Sequence, residues 1–272
     1  MKYPEFDKKY FNLIKRYIDK NSSLKIFEYS QNFVKRRIYA RMNRNNLDTY
    51  KQYYSWLRSH DGEIDKFFKS FSIHVSHFFR DKNFYDLFYE QVIPIIVNQN
   101  KESKKIKIWS IGCSTGQEPY SLSILFHEYL KNKIENYDID ILATDIDRGS
   151  LKIARKGKYK SRALKETKLK YIKRYFREFK GYYKVNNDVK SLVRFQEHDI
   201  LKDVLYKNRD IICCRNVVIY FEKSTKIELY QNIYDVLNNN GFYIMGKTET
   251  LMGQARNLFE VFDSHEKIYI KR

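Results

Sequence analysis

Apolar residues recur at three- and four-residue steps through the first 80 positions. Tyr3, Phe6, Tyr10, Leu13 and Tyr17 form one series, and Ile26, Tyr29 and Phe33 lead into Ile38 and Met42. Leu47, Tyr50, Tyr54 and Leu57 form a third, and Ile64, Phe67, Phe68 and Phe71 a fourth. Such steps put the apolar side chains on one stripe of a helix. Polar clusters at Asn43 to Asn46 and Asp61-Gly62 separate the series as turns. The spacing predicts a bundle of about four helices.

Beyond residue 104 the period changes. Ile106 to Ile111, Ile139 to Ala143, Ile211 to Cys214 and Phe242 to Met245 are short apolar runs of the kind found in buried parallel strands. Amphipathic stretches lie between them: Tyr120 to Leu130, Leu151 to Ala154 and Ile227 to Leu237. Strand–helix alternation predicts a doubly wound α/β domain. Residues 163–177 break the rhythm with a basic helical stretch. Tyr182 to Val185 and Leu192 to Phe195 then flank a polar turn, Asn186-Asn187-Asp188, which predicts an inserted helix plus hairpin.

Composition narrows the class. Of the 272 residues, 43% are apolar and 17% aromatic, with three prolines and nine glycines, which excludes disorder and collagen-like repeats. The longest apolar run, Val92 to Val97, is too short to span a bilayer. The opening MKYPEFDKKYF has no apolar signal core. Cys113, Cys213 and Cys214 make no disulfide framework. A cytoplasmic, soluble protein without direct membrane insertion is expected, its cysteines serving as small buried apolar residues.

The net charge of +19 is unevenly placed. Residues 1–80 carry 17 basic and 8 acidic side chains, residues 151–185 carry 14 and 2, and the remainder 21 and 23. The surplus thus forms two basic blocks on a near-neutral body. A basic surplus points first to nucleic acid or an anionic surface. The abundance of Lys, Asn, Ile and Tyr is equally what coding bias produces.

The segment Trp109 to Ser121, WSIGCSTGQEPYS, is the richest in candidate chemistry. A strand runs into Gly112, Gly116 follows, and Pro119 opens a helix, a position that suits proline. Glycines at a strand end admit a ligand close to the backbone, and a helix N-terminus offers free N–H groups. Asp145 ends the second strand, where an acid can accept both hydroxyls of a ribose. The alternative is that the glycines only make the turn and Asp145 caps the next helix. The same letters satisfy G-x-S-x-G, a hydrolase nucleophile elbow at Ser114, with Asp210 and His265 downstream. The late Pro119 and the lack of preceding strands weigh against that elbow. His74 and His77 lie three apart, but no third ligand clusters with them, so no metal is expected.

Taken together, several segments resemble the CheR family, S-adenosylmethionine-dependent methyltransferases that esterify glutamates of bacterial chemoreceptors. The likeness covers nearly the whole chain in order. It is carried by FSIHVSHFFRD at 71–81, WSIGCSTGQEPYS at 109–121, ATDID at 143–147, FQEHDIL at 195–201 and DIICCRNVVIYF at 210–221. The resemblance implies an all-helical domain at 1–80 and a Rossmann-like class I methyltransferase domain at 81–272, with a small inserted β-subdomain at about 160–197. It implies that His74, Ser76 and Arg80 contact the cofactor, Arg80 through the carboxylate of the methionine part. The family usually has Asn at the position of His74 and often an acid at that of Gln117. Gly112 and Glu118 would lie along S-adenosylmethionine, Asp145 would bind its ribose, and Asp199 and Ile200 would flank its adenine. Asn216 and Val217 would line the methyl-donor end, and Tyr220, with Arg80, would face the reacting centre.

The implied partners are acidic helices in the cytoplasmic part of chemoreceptors, for sensory adaptation in chemotaxis. The basic helix with Lys35, Arg36, Arg37, Arg41 and Arg44 resembles the family's docking surface. The second basic block (Lys165, Lys168, Lys170, Lys173, Arg174 and Arg177) leads into a short hairpin, for which weak or no binding of a receptor tail is expected. Methyl transfer to an ionised carboxylate requires neither a general base nor a metal. The rival reading keeps the fold and changes the target to RNA. Enzymes that methylate base amino groups carry an (Asp/Asn)-Pro-Pro-aromatic loop beside a flipped base. Here Asn216 is followed by Val217 and Val218, so a nucleic-acid partner is not expected.

Overall fold

Four helices realise the spacing of the first 71 residues: α1 (Lys8–Asn21), α2 (Gln31–Arg44), α3 (Tyr50–Ser59) and α4 (Glu63–Lys69). The computed structural model describes residues 4–71, 76–203 and 205–272. The chain divides into two compact units, one of residues 1–73 with 220–226 and the other of 74–219 with 227–272.

In the helical unit Asp7 caps α1 by accepting from the Tyr10 N–H at 3.0 Å. Thr49 and Gln52 form a reciprocal capping box that starts α3. Phe11, Ile14, Ile18, Phe33, Ile38 and Phe67 turn inward. An ion pair is buried with them. Arg41 is only 6% exposed and forks onto Glu63 through Nε at 2.8 Å and Nη2 at 2.7 Å. The Tyr53 hydroxyl donates to the same carboxylate at 3.1 Å. The segment 220–226 joins this unit: the Ser30 N–H donates to the Tyr220 carbonyl at 2.9 Å, and the Glu222 N–H to that of Glu28 at 2.8 Å.

The second unit starts with α5 (Lys82–Leu87), which passes through a π turn into α6 (Ile93–Gln99). Then follow β1 (Lys105–Ile111), α7 (Gln117–Leu130), β2 (Asp138–Asp145), α8 (Arg148–Lys156), β3 (Lys158–Lys160), α9 (Leu169–Tyr175), β4 (Phe176–Phe179), β5 (Tyr182–Val185) and α10 (Asn187–Ser191). The chain continues with β6 (Val193–Glu197), β7 (Arg209–Cys214), α11 (Lys223–Val236), β8 (Leu237–Met245), α12 (Ala255–Leu258), β9 (Phe259–Asp263) and β10 (Ile268–Lys271). The main sheet has the order β6-β2-β1-β7-β8-β10-β9. Its first five members run parallel, and β10 is antiparallel to both β8 and β9. The order reverses between β1 and β7, the place where sheets of this kind leave a crevice outside the carboxyl ends of their strands. In sheets of this kind ligands bind at that reversal.

The hairpin forms earlier in the chain than the spacing predicts. β4 and β5 turn through Lys180-Gly181, and β3 pairs with the other edge of β5. Both turn residues are left-handed, with φ of 48° and 72°, the conformation a two-residue hairpin turn requires. Asn186-Asn187-Asp188 instead leads into α10. Residues 193–195 are not a hairpin strand but part of β6, parallel to β2 in the main sheet, where Phe195 meets Tyr120 edge to face at 5.4 Å.

The buried Arg41–Glu63 pair makes a direct stability prediction. Glu63→Gln leaves the guanidinium buried without its counter-charge and should cost about 3–5 kcal/mol. The expected reading is a lowered urea midpoint; an unchanged midpoint would show the pair to be dispensable.

Candidate active site

The loop after β1 consists of tight turns. Gly112, Ser114 and Gly116 all have positive φ, at 66°, 49° and 91°. A Cβ on Gly112 would lie 2.4 Å from Val217 Cγ2, and one on Gly116 would lie 2.9 Å from Ala154 Cβ. No other residue type fits either place. Gly116 is the N-cap of α7 and provides no side-chain cap, so the first-turn N–H groups face the loop without one. The Ser114 hydroxyl is buried and has no hydrogen-bond partner.

Asp145, at the end of β2, organises this loop. Its Oδ2 accepts from the Ser114 N–H at 2.8 Å and its Oδ1 from the Asp147 N–H at 2.9 Å. Capping of α8 falls to Asp147, which accepts from the N–H groups of Gly149 and Ser150. Of the two readings of Asp145, the helix-cap role therefore belongs to its neighbour.

Asn216 and Val217 form the opposite wall, after β7. Asn216 is left-handed at φ 60°, and Val217 packs on Gly112. Glu249, which the spacing did not bring forward, lies behind them. Its Oε2 accepts from the Asn216 N–H at 3.0 Å and from the Gly246 N–H at 2.5 Å, and its Oε1 accepts from the Val217 N–H at 3.1 Å. Burial pushes its pKa up, and the backbone N–H groups of Gly246, Asn216, Ile219 and Val217 pull against that shift. The available signal was an acid three residues after a glycine that closes a buried strand.

Arg215 is a second residue missed, although it stands inside the CRNVVIYF string. Its buried guanidinium donates to Asp81 Oδ2 at 2.6 Å and to the Arg80 carbonyl at 3.3 Å, and it reaches Glu118 Oε2 at 3.4 Å. Burial opposes its charge, but Tyr85, Glu118 and Asp81 leave its pKa above the ordinary value. Glu118 also accepts from the Ser110 hydroxyl at 2.8 Å. Arg215 thereby ties the segment at 80–81, the start of α7 and the end of β7 together.

The other candidates are distributed as follows. Arg80 is partly buried, and the Ser76 carbonyl accepts from Gln117 Nε2 at 3.4 Å. Asp199 and Ile200 follow β6 and are partly buried, with the Asp199 carboxylate accepting from the Leu201 N–H at 3.0 Å. His74 lies outside the described residues. Tyr220 belongs to the helical unit, its ring 4.7 Å from that of Phe33.

Of the five basic residues expected on the α2 surface, Arg36 and Arg44 are exposed. Lys35 lies over the Phe6 ring at 3.5 Å and Arg37 over Phe33 at 4.7 Å. Arg41 leaves the set, because its guanidinium is buried against Glu63. The second basic block is partly neutralised: Lys168 pairs with Asp86, and Lys170 and Arg174 with Glu128.

The hydrolase constellation does not form. Asp210 accepts from the Lys107 N–H at 2.7 Å and from Asn238 at 2.8 Å, at the amino ends of β1 and β7 and so at the far end from Ser114. His265 is exposed. His77 pairs with Glu166 at 2.8 Å, and among the described residues no three metal-binding side chains cluster. All three cysteines are buried, with thiol pKa values pushed up chiefly by that burial.

Family models decide among the remaining readings. Residues 74–268 match the model described as the SAM-binding domain of CheR methyltransferase, and residues 9–72 match its all-alpha domain. The chain belongs to the CheR methyltransferase family. A chemotaxis protein methyltransferase of Listeria innocua is 32% identical over 252 residues, covering 93% of this chain and 94% of the relative. A probable chemotaxis protein methyltransferase of Rhizobium etli is 29% identical, covering 82% and 87%, and chemotaxis protein methyltransferase 2 of Vibrio cholerae is 29% identical, covering 86% and 83%. The α/β fold class and the family assignment drawn from the CheR motifs both hold. Among the described residues no helix is long and apolar enough to cross a membrane.

The crevice fits S-adenosylmethionine. It offers a glycine cradle that a Cβ would fill, a carboxylate at a strand end, and a buried hydroxyl without a hydrogen-bond partner. Asp145→Ala should weaken S-adenosylhomocysteine binding by ~1.5–3 kcal/mol in calorimetry; an unchanged affinity would remove Asp145 from the site. The cysteines should resist a thiol reagent at neutral pH until the protein unfolds; rapid labelling of the native protein would contradict their burial.

Proposed function

We propose that this CheR-family enzyme transfers the methyl group of S-adenosylmethionine to glutamate side chains of chemoreceptors, forming glutamate methyl esters without a metal. The observation that carries the reading is the crevice between β1 and β7, with Asp145 at one wall and Asn216–Val217 at the other, in a chain of this family. When bound, S-adenosylmethionine supplies an electrophilic methyl on a sulfonium.

The acceptor carboxylate is ionised at neutral pH, so no proton has to be removed before it attacks. The chain's part is alignment of the reacting atoms, which contributes up to ~7–11 kcal/mol in favourable cases. In this reading Asp145 takes the ribose hydroxyls, and Arg80 takes the carboxylate of the methionine part by a charge-assisted pair. Gly112 and Glu118 run along the cofactor, Asp199 and Ile200 flank the adenine, and Ser76 and His74 complete the contacts. Asn216 and Val217 border the methyl donor, and Tyr220 faces the acceptor.

The partner proposed is an acidic receptor helix that meets the exposed Arg36 and Arg44, with Lys35 and Arg37 beside them. The remainder of the proposal is a cytoplasmic enzyme with its helical domain at 1–80 and its catalytic domain at 81–272.

Tritiated-methyl transfer tests the reaction. Receptor fragments should acquire label that is lost in mild base, as an ester is, and RNA should acquire none. Base-stable label, or label on RNA alone, would overturn the reading. Arg36→Glu with Arg44→Glu should lower receptor methylation, leave S-adenosylhomocysteine affinity unchanged, and flatten the salt dependence of the rate. Equal receptor activity in that variant would make this face merely solvated.

A further inference from the structure

We propose that Glu249 is a positioning residue for methyl transfer, holding the Asn216–Val217 loop in the shape that borders the cofactor. The inference rests on the reading that the β1–β7 crevice holds S-adenosylmethionine.

The argument begins with backbone donors. Pairing of β7 with β8 ends at Cys214 and Met245, so the N–H groups beyond lose their strand partners. Asn216 and Val217 lie outside any helix or strand, yet both N–H groups end on one carboxylate. The Gly246 N–H ends on it as well, and that of Ile219 also donates. A carboxylate is an acceptor-only group with two oxygens, and here it faces an array that is donor-only. A glutamine at 249 would turn its own NH2 group toward some of those donors.

Neighbouring residues are fitted to the same purpose. A Cβ on Gly246 would lie 2.8 Å from both Asn216 Nδ2 and Glu249 Oε2, so only glycine lets the two loops meet. Asn216 is held left-handed at φ 60°, a conformation that asparagine tolerates better than other side chains and that the Glu249 contacts fix here. The enforced result is the contact between Val217 and Gly112, where no methyl group can be added. Glu249 therefore acts on the crevice through the backbone and not through the ligand.

Stability alone does not account for this arrangement. Glu249 is 3% exposed, and burial disfavours its ionised form. A carboxyl whose folded pKa is raised loses stability as the pH rises from its unfolded pKa through its folded one.

The test is Glu249→Gln, with Glu249→Asp as a charge-conserving companion, in the full chain. S-adenosylhomocysteine affinity is read by calorimetry, KM for cofactor and for receptor fragment by methyl transfer, and folding by thermal melting. The expected result is a loss of about tenfold or more in S-adenosylhomocysteine affinity for the Gln variant. KM for cofactor should rise, KM for the receptor fragment should stay put, and the Asp variant should retain part of the affinity. A folded Gln variant with wild-type affinity would overturn the proposal. If the Gln variant does not fold, the Asp variant decides: wild-type constants with a lowered melting temperature would make Glu249 a structural residue only. Failure of the wild-type protein to bind S-adenosylhomocysteine would instead strike the cofactor reading itself.

Discussion

Between Gly112 and Val217 there is no room for a methyl group, and the crevice at the ends of β1 and β7 depends on that closeness. Two turns meet there, and each is held from behind by a carboxylate. Asp145 fixes the loop after β1 through the Ser114 N–H, and Glu249 fixes the loop after β7 through those of Asn216 and Val217. Neither loop has a regular ladder to set its shape. In both, an acceptor-only side chain collects backbone donors that the end of a strand has left over.

Buried charge recurs as a fastening device. Arg215 draws Asp81 and Glu118 onto one guanidinium, and Arg41 with Glu63 does comparable work inside the helical unit. Each charge enters with its counter-charge and with further hydrogen bonds, the condition under which burial is tolerated. The bulk of the basic surplus remains outside, on exposed residues such as Arg36 and Arg44. For the proposed transfer to a receptor carboxylate that division of charge suits the chemistry: the interior charges hold the fold, and the exterior ones would meet the substrate.

Much of this architecture is legible in the sequence. The switch from a 3.6-residue period to short apolar runs foretold the helical bundle and the strands β1, β2, β7 and β8, because their burial writes itself into hydrophobicity. The turn at Gly112 and Gly116 and the acid at the end of β2 were legible because a tight turn after a strand requires those glycines and a carboxylate there collects loose backbone donors. The hairpin partner was not, since Tyr182 to Val185 alternates equally well beside either neighbour and only the left-handed Lys180-Gly181 turn decides. Arg41 was misread for a related reason: a basic residue on a helix gives no sign in sequence that Glu63, 22 positions on, has claimed it. Glu249 and Arg215 were missed because their partners are backbone groups or residues more than 90 positions away.

Amide hydrogen exchange with and without S-adenosylhomocysteine tests the central claim most directly, namely that the β1–β7 crevice is the cofactor site. Binding should slow exchange in residues 112–118, 143–147 and 214–219, and leave the small sheet of β3, β4 and β5 unchanged. Protection confined to other segments, with these three exchanging as in the free protein, would contradict it.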